Sequence, residues 1–245
     1  MTDISKKTSG RSGGRAQRLV KRAAKPVINP CPPGQFGGMY KPLSQPDLEN
    51  IFDTALRLLS ELGMGEIPNR LRQDLLTAGA QDGEAGRVVF PRSLTEDAIA
   101  KAAKTFVLHG RDETRSIQVG GSKVYFGTGG AAVQTLDLDS GTYRPSTLAD
   151  LHNFTRLQDT LANVSWYTRC CVATDVPSNF DLDVNTAYAL LLNTTKPTAT
   201  SFTLAEYVAP IVKMLDIAAG GKGAFSKRPF MKAHISPVIS PMRYG

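Results

Sequence analysis

The feature that most constrains the fold is a change of pattern near Tyr125, after which strand-like and helix-like segments alternate to the end of the 245-residue chain. Four segments rich in apolar and β-branched residues predict strands at 124–126, 164–172, 198–202 and 230–239. Apolar residues at helical spacing predict helices at 147–160, 181–192 and 205–219. This alternation is typical of βαβ units in a parallel sheet, so the fold class is α/β. Right-handed crossovers would build either a doubly wound sheet or a barrel.

Four strands are half of what a (β/α)8 barrel needs. The last predicted strand is followed by no helix before Gly245, so we expect the chain to be a fragment or half of a split protein. A half-barrel exposes two unpaired sheet edges and an open apolar core. If the chain stands alone, we therefore expect a homo-oligomer, such as a homodimer that rebuilds a barrel, or no stable fold.

The sequence predicts three domains: a disordered basic tail over residues 1–28, an α+β extension over 29–122 and half a barrel over 123–245. In the extension we expect helices at 44–62, capped by Ser44, and at 68–79. The sequence Ser93-Leu-Thr-Glu96 predicts a capping box that opens a third helix, ending near Lys104. Short strands are expected at 87–90, 106–109 and 116–119, with Gly120-Gly121 as a hairpin turn into 123–126. Residues 133–138 are expected to pair with 142–144.

The net charge of +7 resides in the tail. Residues 1–25 carry eight Lys and Arg side chains against Asp3, whereas the other 220 residues hold 21 basic and 21 acidic side chains. A balanced folded part argues against a nucleic-acid-binding protein, in which phosphate contacts require clustered positive charge. No stretch approaches 18 apolar residues and the basic N-terminus lacks an apolar core, so we expect no membrane span, no secretory signal and a cytoplasmic location.

The cysteines and histidines do not form a metal-binding pattern. Cys31, Cys170 and Cys171 include no Cys-x-x-Cys pair, so reduced and mostly buried thiols are expected. None of the three histidines has another ligand at zinc spacing, and we expect no metal site. His234 lies in the fourth predicted strand, where it faces either the barrel interior, as a functional residue, or a hydrogen-bonding partner in a structural role.

The sequence Gly127-Thr-Gly-Gly-Ala-Ala132 fits the dinucleotide-binding pattern G-x-G-x-x-A and follows a predicted strand. That interpretation requires a helix to begin there, but the next residues alternate as in a strand. We therefore favour a glycine-lined strand end at which a ligand approaches the backbone closely.

The second predicted strand carries the most suggestive side chains. Trp166, Tyr167 and Arg169 lie on it, and an aspartate, Asp175, follows its end. Aromatic faces attract quaternary ammonium groups, and a guanidinium suits a carboxylate such as that of glycine betaine. Because side chains alternate along a regular strand, Trp166 and Tyr167 cannot both face inward. Packing of these aromatic residues in the core is the alternative.

Several segments together resemble the trimethylamine methyltransferase family. They are Gly37-Gly-Met-Tyr-Lys-Pro-Leu-Ser, Phe126-Gly-Thr-Gly-Gly-Ala-Ala, Arg144-Pro-Ser-Thr-Leu-Ala-Asp-Leu and Asp183-Val-Asn-Thr-Ala-Tyr-Ala, with Thr195-Lys-Pro. The resemblance runs from about Arg11 to the end of the chain and implies a TIM barrel. It also implies transfer of a methyl group from a methylated amine to the Co(I) of a corrinoid (methylcobalamin) carried by a cognate partner protein.

The resemblance leaves the branch of the family open. The substrate is either trimethylamine or a quaternary amine such as glycine betaine, and the family's pyrrolysine position lies beyond Gly245. The resemblance assigns no catalytic residue to this chain. TIM barrels bind substrates at the C-terminal ends of their strands. The substrate-binding candidates near those ends are Thr128, Gly129, Trp166, Tyr167, Arg169, Phe202 and His234.

Overall fold

The computed structural model describes residues 19–20, 28–236 and 238–244. The chain divides into two units, Met1–Pro32 and Pro33–Gly245. In the first unit, Leu19 and Val20 are helical and residues 28–32 are described. Most of the predicted basic tail therefore lies outside the described residues. The predicted domain boundaries at residues 28 and 122 stay predictions.

The second unit begins with a mixture of short strands and helices. In chain order they are β1 (Gln35–Phe36), α1 (Gln45–Arg57), α2 (Asn69–Thr77), β2 (Gln81–Asp82), β3 (Val88–Val89), α3 (Arg92–Lys101), β4 (Thr105–Leu108), β5 (Ile117–Gly120) and β6 (Lys123–Val124). A π-helical turn over Leu58–Leu62 extends α1. Ser44 caps α1 as predicted, because its hydroxyl accepts a hydrogen bond from the Asp47 amide at 3.3 Å.

Two sequence predictions in this region are wrong. The helix α3 begins at Arg92 with Pro91 as its N-cap, so Ser93 already lies in the first turn and forms no capping box. Glu96 instead accepts a hydrogen bond from Nε of Arg92 at 2.8 Å. The turn at Gly120-Gly121 does not join a hairpin, because β5 pairs antiparallel with β4, whereas β6 pairs with β1. Tertiary pairing with β1 overrides the local turn preference.

The rest of the unit forms βα repeats. They comprise β7 (Phe126–Gly127), β8 (Gln134–Leu136), β9 (Tyr143–Pro145), α4 (Leu148–Thr160), β10 (Val164–Thr168), α5 (Asn179–Asn193), β11 (Thr198–Thr200), α6 (Val208–Ala218), α7 (Ala224–Lys227) and β12 (Met231–Ala233). A terminal hairpin joins β13 (Val238–Ile239) to β14 (Arg243–Tyr244). The predicted pairing of 133–138 with 142–144 is confirmed by β8 and β9. No helix among the described residues is long and apolar enough to cross a membrane.

Four of these strands form a parallel sheet in the order β7-β10-β11-β12. The spatial order of these four strands follows their order along the chain, which is the order found in the wall of a barrel. In a doubly wound sheet, the order reverses at a switch point. The predicted α/β class with a parallel sheet is therefore confirmed. Each of the last three strands is shorter than predicted, because their C-terminal segments leave the sheet and line a cavity there.

The hydrophobic core lies between this sheet and its helices. The strands contribute Tyr167 and Met231, and the helices contribute Leu151, Leu190 and Ile211 among others. Leu151 and Leu190 are fully buried. The apolar positions of α4, α5 and α6 therefore stabilise the outer face of the sheet, whose inner face remains available for a site.

The connection between β4 and β5 packs at the N-terminal ends of the sheet strands. Arg111 donates from Nη2 to the carbonyl of Leu191 at 2.5 Å, and Arg228 donates to the carbonyl of Gly110 at 3.1 Å. The buried ammonium of Lys196 donates to the carbonyls of Gln158 and Leu161, at 2.8 Å each, where α4 ends. These contacts hold one end of the sheet together and leave the other open.

The sequence Arg144-Pro-Ser-Thr-Leu-Ala-Asp150 forms a rigid entry to α4. The Arg144 guanidinium binds both carboxylate oxygens of Asp150, at 2.7 and 2.9 Å. Asp150 also completes a capping box with Thr147. The hydrogen bonds from Arg144, with those from Thr147, hold the pKa of Asp150 well below its usual range although burial opposes them.

We expect Asp150→Asn to lower the free energy of unfolding by about 2 kcal/mol at neutral pH, because it removes charge-assisted hydrogen bonds at a buried site. The folded-state pKa of Asp150 is depressed, so this stabilisation is present above the unfolded carboxyl pKa of about 4 and is lost as the pH falls through the folded value. Denaturant unfolding of both proteins at pH 7 and pH 3 measures the difference.

The matched control is Asp47→Asn, in the exposed capping box of α1, where Asp47 has no salt bridge among the described residues. It is expected to cost less than Asp150→Asn. Equal losses for the two variants would show that the arginine contributes nothing beyond the cap.

Candidate functional site

A cavity of about 730 Å³ lies at the C-terminal ends of the four parallel strands. Six of the seven sequence-predicted site residues line it, each from a strand end: Thr128, Gly129, Trp166, Arg169, Phe202 and His234. The loop residues Gly129 and Gly130 and the segment 234–236 are exposed, so the cavity is open to solvent. This is the position at which parallel α/β folds bind their ligands.

The structure does not bring Tyr167 into this cavity. Tyr167 is 1% exposed and packs in the core, with its hydroxyl 3.2 Å from Sγ of Cys170. Trp166 and Thr168, its neighbours on β10, face the cavity. Alternation along the strand separates the two aromatic side chains, as the sequence requires, and it is the tyrosine that packs against the helices.

Trp166 lies directly over the backbone of β7. It pairs with Gly127 across the sheet, and a register irregularity between Val164 and Trp166 accompanies this pairing. A Cβ atom at Gly127 would lie 2.1 Å from Cε2 of the indole, which is too close for any side chain. Gly127 is therefore required here because the indole occupies the space of its side chain.

The hydroxyl of Thr128 joins the ends of β7 and β10. It donates to the carbonyl of Thr168 at 2.7 Å and accepts from the amide of the same residue at 3.0 Å. The amide of Thr128 donates to the carbonyl of Trp166 at 3.3 Å. The side chain of Thr128 thus extends the backbone pairing by one residue and positions Trp166 and Thr168 against the cavity.

Arg169 and the segment after β11 form the opposite wall. Nη2 of Arg169 lies 3.5 Å from the hydroxyl of Ser201, and the arginine has no salt bridge among the described residues. The buried carboxylate of Asp183 accepts hydrogen bonds from the amide and the hydroxyl of Thr203, at 2.6 and 2.9 Å. The hydrogen bonds of Asp183 therefore hold the segment after β11 in place beside Phe202. Arg169 has further N–H donors that can bind a ligand in the cavity.

The inner face of the sheet is positively charged. Arg169 lines the cavity, and no acidic side chain is among the described residues that line it. Lys232 lies on the same face of the sheet but lines a separate, smaller cavity together with Trp166. The ammonium of Lys232 lies 4.7 Å from the centroid of the Trp166 ring. Such a site favours a ligand that carries an anionic group.

Four residues of this face were missed at the sequence level: Thr168, Ser201, Lys232 and Tyr244. Alternation from Trp166 identifies Thr168, and alternation from His234 identifies Lys232, once the inner face is known. Ser201 follows in the same way from Ala199, which pairs with Thr168 and Lys232. Tyr244 reaches the cavity only because β14 folds back onto Gly65, whose carbonyl accepts from the Tyr244 amide at 2.9 Å.

The cysteines lie outside this cavity. Cys31 and Cys170 are half-buried and Cys171 is buried, so the predicted burial holds for one of the three thiols. Hydrogen bonding to Cys171 and Tyr167 lowers the pKa of the Cys170 thiol, although burial opposes the shift. Among the described residues, no group of histidine, cysteine and acidic side chains could hold a metal ion.

We expect Gly127→Ala to displace the Trp166 indole, because the added methyl group meets the ring at 2.1 Å. The predicted result is a shifted tryptophan emission maximum and a loss of about 1–3 kcal/mol in the free energy of unfolding. The control is Gly129→Ala, since a Cβ there meets no atom within 4 Å. A normal emission spectrum for Gly127→Ala would contradict the placement of the indole.

Comparison with known proteins identifies the family of the chain. A protein from Desulfitobacterium hafniense (strain DSM 10664 / DCB-2), described as trimethylamine methyltransferase MttB, is 28% identical over 202 residues, which are 82% of this chain and 40% of that protein. The chain thus matches well under half the length of this relative. The sequence model of the family described as trimethylamine methyltransferase (MTTB) matches residues 11–245, nearly the whole chain. The chain therefore belongs to the trimethylamine methyltransferase family.

Proposed function

We propose that this protein demethylates a methylated amine and passes the methyl group to the Co(I) of a cognate corrinoid protein. Family membership supports methyl transfer from an amine. The single observation that carries the assignment to this site is the cavity at the C-terminal strand ends, which combines an indole, a phenyl ring and an arginine without a salt bridge among the described residues. The sheet would then be half the wall of a (β/α)8 barrel.

The chemistry requires little of the protein beyond binding and orientation. The N–CH3 bond breaks, its electron pair remains on nitrogen as the amine leaves, and the methyl group goes to cobalt. A corrinoid held by the partner supplies the nucleophilic Co(I) that accepts the methyl group. A quaternary ammonium is already activated for this step, whereas a tertiary amine must first gain a positive charge. The residues of this chain would bind the amine and orient the reacting methyl group.

Between the two substrate types, the site favours a quaternary amine with a carboxylate, such as glycine betaine. Arg169 has donors free for a bidentate contact with a carboxylate, and Ser201 lies beside it. Trp166 and Phe202 offer aromatic surface to the methylated nitrogen. Thr128 and Gly129 form the adjacent wall, and His234 lies on the exposed rim.

The open rim of the cavity supports methyl transfer to a corrinoid that belongs to a partner protein. The exposed rim at 129–131 and 234–236 leaves the cavity open at the C-terminal side of the sheet. The partner protein would bring its corrinoid to that open side, and the corrinoid would supply the cobalt that accepts the methyl group. The chain needs to supply binding for the amine alone.

The proposed function is tested by incubating the recombinant protein with its corrinoid partner, reduced to Co(I), and a panel of trimethylamine, glycine betaine and other methylated amines. The expected result is methylation of cobalt, followed by its visible spectrum, with glycine betaine and not with trimethylamine. No methylation with any member of the panel would refute the proposal.

We expect Arg169→Gln to raise the KM for glycine betaine by about ten- to a hundredfold, because a charged hydrogen-bonding pair with the carboxylate is lost. Binding of tetramethylammonium, which has no carboxylate, should change little. Arg156→Gln, on the exposed surface of α4, is the control. Equal effects of Arg169→Gln on both compounds would show that the arginine does not recognise a carboxylate.

The alternative is a non-catalytic half-barrel that acts only as an oligomer. Phe126 and Ile235 are 49% and 72% exposed beside the sheet, and β7 and β12 form its two edges. Exposed apolar surface and unpaired edges favour association of two copies. We expect the 245-residue chain to form a dimer in light scattering at micromolar concentration. A monomer that remains folded would exclude this alternative.

A further inference from the structure

Lys232 lies over the indole of Trp166, which lines both the candidate cavity and the smaller cavity that Lys232 lines. Its Nζ lies 4.7 Å from the centroid of the Trp166 ring, a cation–π distance. Ala199 lies on the strand between them and pairs with Lys232 in the sheet. Because Ala199 has only a methyl side chain, the lysine can pass over it and reach the indole.

The indole is thus bordered by Gly127 and by Lys232. The backbone of Gly127 approaches the indole so closely that even a Cβ atom would overlap it. Lys232 is exposed and has no salt bridge among the described residues, so nothing except the ring holds its ammonium there. The aromatic ring is therefore already in contact with a positive charge before any ligand arrives.

We propose that Lys232 is a specificity-determining residue that excludes simple cations from Trp166. This inference rests on one part of the proposed function, namely that the cavity binds a methylated ammonium group. A bare cation such as tetramethylammonium has to displace a like charge from the ring. A zwitterion such as glycine betaine carries a carboxylate that, while bound by Arg169, also attracts the lysine ammonium away from the ring and so exposes the aromatic face.

The test uses the 245-residue chain, in which Trp166 is the single tryptophan and hence a direct reporter. Tetramethylammonium chloride and glycine betaine are titrated into the wild type, Lys232→Met, Lys232→Arg and the control Lys213→Met, which changes an exposed lysine of α6. Lys232 is itself exposed, so its replacement leaves the core intact; circular dichroism confirms folding of each variant.

Removing the ammonium should change the emission of Trp166 in the ligand-free protein and tighten tetramethylammonium binding by about five- to tenfold. The preference for glycine betaine over tetramethylammonium should fall by at least the same factor. Lys232→Arg and Lys213→Met should both behave as the wild type. Unchanged emission, or no tightening of tetramethylammonium binding in Lys232→Met, would overturn the inference.

The outcome is separable from that of the methyl-transfer assay. If tetramethylammonium binds Lys232→Met more tightly but no amine methylates cobalt, the role of Lys232 stands and the proposed function fails. If cobalt is methylated while Lys232→Met binds tetramethylammonium as the wild type does, the function stands and this inference fails.

Discussion

The pairing of β10 with strands on both sides is the constraint on which the candidate site depends. Its neighbours β7 and β11 hold it in parallel register, and the Thr128 hydroxyl fixes its last residue through two further hydrogen bonds. With the backbone held, alternation sends Trp166 and Thr168 to one face and Tyr167 to the other. A slip of one residue would exchange the two faces, bury the tryptophan among helices and remove the indole from the cavity.

The two faces of the sheet have opposite chemistry, and this division links stability to function. The outer face is apolar and is covered by α4, α5 and α6, which bury Tyr167 and Met231. The inner face carries an indole, hydroxyls and unpaired cations, groups that contribute little to a core but can bind a small charged molecule. The outer face of the sheet therefore contributes most of the stability, and the inner face can carry the side chains that bind a ligand.

Buried charges fix the ends of the strands. Asp150 is held by Arg144 at the entry to α4, Asp183 holds Thr203 at the end of β11, and Lys196 binds two carbonyls at the end of α4. Each of these charged groups forms hydrogen bonds to the backbone or to another side chain, because a buried charge without such bonds would destabilise the fold. They give a structural role to Arg144, Asp150, Asp183 and Lys196, which lie within the segments that resemble the family. Their role is to hold loop geometry around the cavity.

Alternation of strands and helices, read from apolar spacing, was sufficient to identify the α/β class, the succession of βα units along the chain and the strand ends that carry Trp166, Arg169 and His234. These features are local or follow from general rules of chain connection, so the sequence by itself determined them. Only the tertiary structure decided that Tyr167 packs outward, that β6 pairs with β1 instead of β5, and that Lys232 lies over Trp166. Each of these depends on contacts between residues distant in the chain, whose free energy outweighs local preferences and leaves no periodic signal in the sequence.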